Sequence, residues 1–590
     1  MIRSLFFDAI QECSTLVYSR GVDTTMWKDD SIGRRFLMVW LCSAGLVSVV
    51  RFFNAVPMNL DLAFQIQVAH NLLAGKGFSI YNHYSPELTS PGTLSTLTIF
   101  PAGYSLYTAA ILAAGGREDT AIRLFASAAT MLGWWGWGLA AYPFFGNKLS
   151  KTAFYKWSGF LIAALTPLLF TITWGATDIV LWAVVPWVLL WITKGANEDL
   201  PARARFDLVA GIVCGFAILM RYASVFVAAY ALLLIMWQSG LRLRVLMQRW
   251  TVFALGLLPG VGIQAYINYF VSSAPARPGQ LSFDYGFVAA IKRTLEGIPL
   301  LGAANSPWAF WFPQSAQQLL FPEVNGTVPW QLAITLGICI FLALTIRSYR
   351  INLSEAVKDF RVAAIGLFVA FPLLLLGCMT LGEYNYVGNT RYYWPLTPLS
   401  VFVVYSFLAV DHTRRTTGLK IIRSLAVIYL FGYVAMNVTR TALFFAPAEQ
   451  GTTRRSQMIG TDLAPWPSRG IDHQYSAART FVEALVRNEP DTVLLVSNKR
   501  AWFVGDSAFD PSRVHALSCS RASHLTGPAH IVFVTQNEGE PQDLWSSDPP
   551  PHAECFNALP SLYLLQRFPQ EGIKVVESRV PAGVRIMLRP

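Results

Sequence analysis

The chain has 590 residues, 54% of them hydrophobic and only 14% charged, with 19 tryptophans and 22 tyrosines. That balance excludes an ordinary soluble protein and suits a chain with many positions at membrane interfaces. A net charge of +11 does not point to nucleic acid, because the basic residues fall in short links between apolar runs, as in cytoplasmic loops.

Residues 1–35 are mixed polar sequence, so the first apolar run, Phe36–Phe53, reads as a retained transmembrane helix and not as a secretory signal. It leads directly into the stretch from Asp61 to Phe78, which is expected to run along the membrane face. A carboxylate held there has an energetic cost. Asp61 therefore either serves proton chemistry on an amphiphilic substrate or caps the helix that follows. Further spans are predicted at 124–145, 157–172, 178–193, 208–221, 223–238, 250–270, 329–346, 362–380, 395–410 and 424–444. Several fall short of the ~20 residues that cross a bilayer comfortably. The run 97–115 contains Pro101, Gly103, Tyr104 and Gly115-Gly116, and by pattern alone either crosses or lies on the surface.

Charge decides that ambiguity. With 97–115 uncrossed and the N-terminus cytoplasmic, the inside loops 146–156, 194–207, 239–250, 347–361 and 411–423 hold 17 Lys and Arg. The much longer outside segments, 54–123, 173–177, 219–223, 271–328 and 381–394, hold eight. A crossing at 97–115 would put Lys148, Lys151 and Lys156 outside and invert every later loop. The expected fold is thus a polytopic α-helical membrane protein of about 11 transmembrane helices. After Phe444 the sequence turns polar. It carries an amphipathic helix near Tyr475–Arg487 and short strands at Asp491–Asn498, His530–Thr535, Ile573–Ser578 and Val584–Leu588, a C-terminal soluble α/β domain placed outside by the odd helix count. The expected organisation is a cytoplasmic segment at 1–35, a transmembrane module at 36–270 and an extracytoplasmic loop at 271–328. Transmembrane helices at 329–444 and the α/β domain at 445–590 complete it.

Cys42, Cys214, Cys339 and Cys378 lie in apolar runs and read as small buried hydrophobes. Cys519 and Cys555 share the polar C-terminal region and are placed to form a disulfide if that region is extracytoplasmic. No Cys/His cluster has zinc spacing, so no structural metal is expected.

Several polar groups converge on the outside face in this topology. They are Asp61, His70, Lys76, His83 and Glu87 in the first outside segment, Asp178 at a helix start, and Arg221-Tyr222 at an outside turn. Arg277, Lys292 and Arg293 fall in the long loop, and Glu383, Tyr386, Arg391 and Tyr392 in the last one. Each also has a structural reading. Arg221 and Arg391 can snorkel to headgroups, Asp178 can be a helix N-cap, and Lys76 in Gly75-Lys-Gly77 can be a turn residue. The aromatic residues of 384–394 suit an interface belt. His70 and His83 have no partner spacing.

The motifs Ala69-His-Asn-Leu-Leu-Ala-Gly-Lys-Gly-Phe-Ser79, Phe100-Pro-Ala-Gly-Tyr-Ser-Leu106, Ala121-Ile-Arg-Leu124, Ala176-Thr-Asp178, Gly211–Tyr222 and Arg391-Tyr-Tyr-Trp-Pro-Leu-Thr-Pro398 follow in order. Together they resemble the GT-C membrane glycosyltransferases, in the style of the protein O-mannosyltransferase and lipid A aminoarabinose transferase branch, over roughly residues 36–410. Two departures stand out. Asn59-Leu-Asp61 leaves a single carboxylate where many relatives carry paired acids, which tells against a metal-bridged pair there. Pro101-Ala-Gly103 replaces the usual double proline before glycine.

The resemblance implies a catalytic module of seven helices, here residues 36–270, working on the outer-leaflet side. It implies inverting transfer of a sugar from a polyprenyl-phosphate donor to a glycan, lipid or protein acceptor. Asp61 aligns with the catalytic acid residue, and Asp178 with a second, less uniform site acid. The basic and aromatic groups of the late loops would meet the lipid phosphate. A bacterial inner membrane, with the active site and C-terminal domain periplasmic, is the expected location. The residue types suit this chemistry on their own terms. An acceptor hydroxyl needs a positioned base, inversion needs that base opposite the leaving group, and a departing phosphate needs preorganised donors such as arginine. The rival reading is a transporter or flippase of a lipid-linked or anionic substrate. Against it, no internal repeat is visible, and the charged residues gather at one face. A catalytically dead, lipid-binding relative is the third possibility, and the intact Asp61 speaks against it.

Overall fold

The computed structural model describes residues 31–53, 60–81, 94–97, 100–141, 177–240, 242–271, 360–380, 476–489, 492–497, 514–517, 523–526, 528–536, 563–568 and 573–588, with part of the region between and single positions at 358 and from 396 to 439. The predicted spans 157–172 and 329–346 lie outside the described residues, as do Cys519 and Cys555. Spans 395–410 and 424–444 are described only at isolated helical positions.

Helices α1 (Ser31–Phe53), α4 (Glu118–Ala141), α5 (Asp178–Ala196), α6 (Leu200–Met220), α7 (Val225–Gln238), α8 (Leu243–Tyr266) and α9 (Phe360–Thr380) each cover a predicted span. Among the described residues, Asp178–Ala196 and Leu243–Val271 are long and apolar enough to cross a membrane, and Met38–Phe53, Tyr222–Gln238 and Val362–Leu374 are shorter apolar stretches. Between α1 and α4 lie α2 (Leu60–Leu73), the three-residue strands β1 (Ser79–Tyr81) and β2 (Leu94–Thr96) paired antiparallel, and α3 (Gly103–Ala113). With 11 residues, α3 is about 16 Å long, half of what a bilayer core requires. Its turn at Gly115, φ 81°, bends the chain straight into α4.

Small residues let the helices approach closely. Gly211 and Gly215 of α6 face Gly256 and Gly260 of α8. A Cβ on Gly260 would lie 2.1 Å from the Gly215 carbonyl oxygen, and one on Gly211 2.2 Å from that of Phe253. Both helices thus carry two glycines four residues apart, the spacing that brings helix backbones into contact where lipid offers no hydrophobic drive. In α4 the glycines make room for indoles. Gly133 receives Trp182 of α5, and Gly138 receives Trp40 of α1. Trp40 stacks on Trp134 at 5.2 Å and donates Nε1–H to that residue's carbonyl at 2.9 Å. Trp137 likewise donates to the Trp182 carbonyl at 3.0 Å. These bonds satisfy the Trp40 and Trp137 indole donors inside an apolar stack. The row α1–α4–α5–α6–α8 is flanked by α7 and α9, joined where the Tyr230 hydroxyl donates to the Ala363 carbonyl at 2.6 Å.

The C-terminal part has a five-stranded sheet in the order β4 (Val514–Leu517), β3 (Thr492–Ser497), β6 (Ala529–Gln536), β8 (Ile573–Val580), β7 (Tyr563–Phe568). β3 is parallel to both neighbours, and β8 is antiparallel to both of its own. A separate pair joins β5 (Ser523–Thr526) to β9 (Arg585–Leu588). Helix α10 (Ser476–Asn488) packs on β8. Just past its end, Glu489 meets buried His530 at 2.9 Å and Arg579 at 2.9 Å, while Glu577 takes the other ring nitrogen of His530.

Candidate functional site

The site is built where helices end. α6 stops at Met220 because Arg221 turns extended, φ −151° and ψ 119°, and a single 3-10 turn, Tyr222–Ser224, starts α7. Arg221 is buried at this corner and pairs with the Asp178 carboxylate in the first turn of α5. Its Nη1 also donates to the Thr177 hydroxyl at 3.2 Å. Asp178 is not the N-cap: Thr177 holds that position, and the carboxylate is used for the ion pair. Nor does Arg221 reach outward, since it is 7% exposed and bound to neighbouring helices. An arginine in this setting presents a fixed fork suited to a phosphate or carboxylate.

Three further segments close on the corner. Gly103, at the start of α3, packs so tightly that a Cβ there would lie 2.6 Å from the Leu219 carbonyl oxygen. Gln264 of α8, 4% exposed, accepts from the Ala102 amide at 2.8 Å and donates to the Tyr222 hydroxyl at 3.0 Å and to Asn268 at 2.9 Å. Asn268 lies in a π-helical turn, Ile267–Val271, that ends α8. Such turns recur at functional sites. The motifs Phe100–Leu106, Ala176–Asp178 and Gly211–Tyr222, far apart in sequence, thus meet at one point.

α2 packs on α3. Residues Leu62 to Ala69 are all buried, Gln65 and Gln67 included, so α2 is enclosed over two turns and does not lie with one face in water. Asp61 sits in its first turn, and its side chain lies outside the described residues. At the far end of α2, His70 pairs with Glu118 of α4 at 2.9 Å. Lys76 is an exposed residue of a turn in which Gly75 and Gly77 take φ 73° and 72°, values L side chains rarely adopt. Its amide donates to the Asn71 carbonyl at 2.8 Å. The structure therefore brings together Asp178, Arg221 and Tyr222 but leaves Lys76 on the surface. His83, Glu87, Glu383, Tyr386, Arg391 and Tyr392 lie outside the described residues.

Gln264 and Thr177 were not singled out from sequence. The signal for Gln264 was there, an amide inside the apolar run 250–270, where a polar side chain must find partners. At the opposite ends of the same helices a second buried pair was also missed. Arg249 of α8 grips Asp207 of α6 with two bonds of 2.7 Å and donates to Gln238 of α7 at 3.1 Å. Arg203 caps the end of α5 through the carbonyls of Gly195, Ala196 and Glu198. Among the described residues, no three His, Cys, Asp or Glu side chains are arranged to hold a metal ion.

No protein-family model and no curated protein matches the chain. Solved structures do. The archaeal oligosaccharyltransferase AglB of Archaeoglobus fulgidus, in complex with an inhibitory peptide and a dolichol-phosphate, matches at 12% identity and a TM-score of 0.39 over 82% of this chain and 65% of its own. The arabinofuranosyltransferase AftD from mycobacteria matches at 14% identity and a TM-score of 0.45 over 92% of this chain and 40% of its own. A mutant form of AftD matches at 13% and 0.40, over 90% and 39%. This chain spans less than two thirds of their length, and its own activity has to be argued from its own residues.

Proposed function

We propose that the protein is an integral membrane glycosyltransferase of the GT-C type that transfers a sugar, with inversion, from a polyprenyl-phosphate-linked donor to an acceptor hydroxyl on the extracytoplasmic face. The observation that carries the reading is the corner where Asp178 holds Arg221 beside Tyr222, at the ends of α5, α6 and α8 that charge distribution puts outside. Asp61 starts the enclosed helix that packs on α3, whose own start is fastened to that corner.

In this scheme the Asp61 carboxylate takes the proton of the acceptor hydroxyl as its oxygen bonds to the anomeric carbon. The bond from that carbon to the phosphate oxygen breaks on the opposite side, and the electron pair leaves with the lipid phosphate. Arg221, held by Asp178 and Thr177, meets the charge that develops there. Because the guanidinium is already fixed, little reorganisation is needed as the charge grows. Arg391 and the aromatic residues of the last outside loop, with Glu383, Tyr386 and Tyr392, complete the donor site in this proposal. Lys76, His83 and Glu87 attend the acceptor side. The energy comes from the lipid-linked donor, so no nucleotide site is required. We place the protein in a bacterial inner membrane with the site and the α/β domain, residues 445–590, in the periplasm.

The test is Asp61→Asn in purified full-length protein, supplied with polyprenyl-phosphate sugars and a panel of acceptors. Loss of transfer with donor binding retained supports the base. Unchanged transfer removes Asp61 from the mechanism, and movement of a lipid-linked substrate across sealed vesicles with no glycosylated product overturns the enzyme in favour of a transporter.

A further inference from the structure

Gln264 fastens three segments at the corner, and its one mark in the sequence is that it is an amide inside the apolar run 250–270. Its amide has one acceptor oxygen and two donor hydrogens, and the three bonds found use them all: Ala102 N–H, the Tyr222 hydroxyl and Asn268 Oδ1. The first is a capping contact. The N-cap residue of α3, Ala102, has no side-chain cap of its own, and α8 supplies an acceptor from 162 positions away. The second bond fixes the phenol of Tyr222, the residue that follows Arg221 in the chain. The third runs into the π-helical turn at the end of α8. A buried amide satisfied on every side is rigid, because moving it strands three polar groups.

We propose that Gln264 is a positioning residue for the donor phosphate. It sets the spacing between the start of α3 and the Arg221–Tyr222 corner, and its neutrality is required because an anion is bound beside it. This rests on the donor-site reading given above and goes beyond it in naming a residue from α8 and the reason it is an amide. The two requirements, shape and neutrality, separate experimentally. Glu at 264 keeps the outline and the acceptor for Ala102, while the Tyr222 hydroxyl and the Asn268 amide can turn to donate to it. The change that remains is a negative charge. Leu at 264 adds no charge but abolishes all three bonds.

The experiment measures, at pH 8, the melting temperature of full-length protein in detergent and its affinity for polyprenyl phosphate. Wild type, Gln264→Glu, Gln264→Leu and Asn268→Asp are compared. Gln264→Glu is expected to melt within about 3 °C of wild type yet bind about tenfold more weakly, since a like charge sits near the phosphate. Gln264→Leu is expected to melt lower than Gln264→Glu and bind more tightly than it. A purely structural residue would rank the two variants the same way in both measurements, and that result overturns the proposal. If neither variant folds, Asn268→Asp decides, since it keeps the acceptor for Gln264 Nε2 and adds the charge there: affinity reduced several-fold upholds the proposal, and unchanged affinity overturns it. Failure of wild-type protein to bind polyprenyl phosphate overturns the donor-site reading, and this inference with it. Binding by wild type with equal affinity in Gln264→Glu overturns this inference alone.

Discussion

The two ends of the α5–α8 bundle carry the same chemistry in different surroundings. Each buries an arginine against an aspartate between helices. At one end Arg249 grips Asp207 with both nitrogens and takes Gln238 as well, bridging three regular helices. At the other end Arg221 meets Asp178 where α6 has just broken, between a 3-10 turn and a π-helical turn. The first pair joins elements whose geometry is already complete. The second stands among backbone interruptions, where helix ends leave polar groups to be satisfied by other segments or by ligands. A buried ion pair says little about function on its own, whereas its setting in the backbone does.

That contrast can be broken or sharpened. The largest effect belongs to Asp61→Asn, which should lower transfer by about 10³-fold, within the range for a general base, without loss of donor affinity in a binding assay. Next comes Arg249→Met. Leaving Asp207 buried without its partner should cost about 3–5 kcal/mol of stability, read as a lower melting temperature, and replacing both partners with apolar residues should recover most of it. Arg221→Met is the counterpart. It should weaken polyprenyl-phosphate binding by about 100-fold, two charge-assisted hydrogen bonds' worth, and removing Asp178 as well should restore thermal stability but not binding. If both double replacements preserve every measured function, the two ends do not differ as described. Gly215→Leu should destabilise by about 1–3 kcal/mol through overpacking, since an added Cβ would lie 2.7 Å from the Leu257 carbonyl oxygen. The smallest effect is Lys76→Ala, with stability within about 0.5 kcal/mol of wild type. Transfer should fall with that change, as the acceptor-side role of Lys76 requires, and unchanged transfer would remove the exposed Gly75-Lys-Gly77 turn from the acceptor site.

Hydropathy located the helices but cut several short. α4, α6 and α8 begin at Glu118, Leu200 and Leu243, ahead of the predicted 124, 208 and 250. A helix need not stop where its apolar run does. Asp199 caps α6 through the Ala202 amide at 3.2 Å, and the polar turns after it carry Arg203 and Asp207 into specific bonds. For the same reason Arg249, legible only as one of many loop charges, proves to be buried. In the C-terminal part, β3, β6, β8 and β9 were readable from β-branched runs. β4, β5 and β7 were not, because Val514-His-Ala-Leu, Ser523-His-Leu-Thr and Tyr563-Leu-Leu-Gln-Arg-Phe carry no such run and gain their state from pairing. At the site, Asp178 and Arg221 were legible as members of one face but not as partners. Pairing depends on the corner after Met220, and no local pattern announces it. Gln264 was legible as an amide in an apolar run, but its partners depended on three segments meeting and were not.

The pairing of Arg221 with Asp178 has a kinetic consequence. A cation already balanced by its own carboxylate projects almost no field beyond its immediate surroundings, so it cannot draw an anionic headgroup from a distance. Capture should then proceed by two-dimensional diffusion of the lipid within the leaflet, and its rate should be nearly indifferent to ionic strength. On the proposed reading the charge is felt only after arrival, when the incoming oxygens meet the held fork at close range.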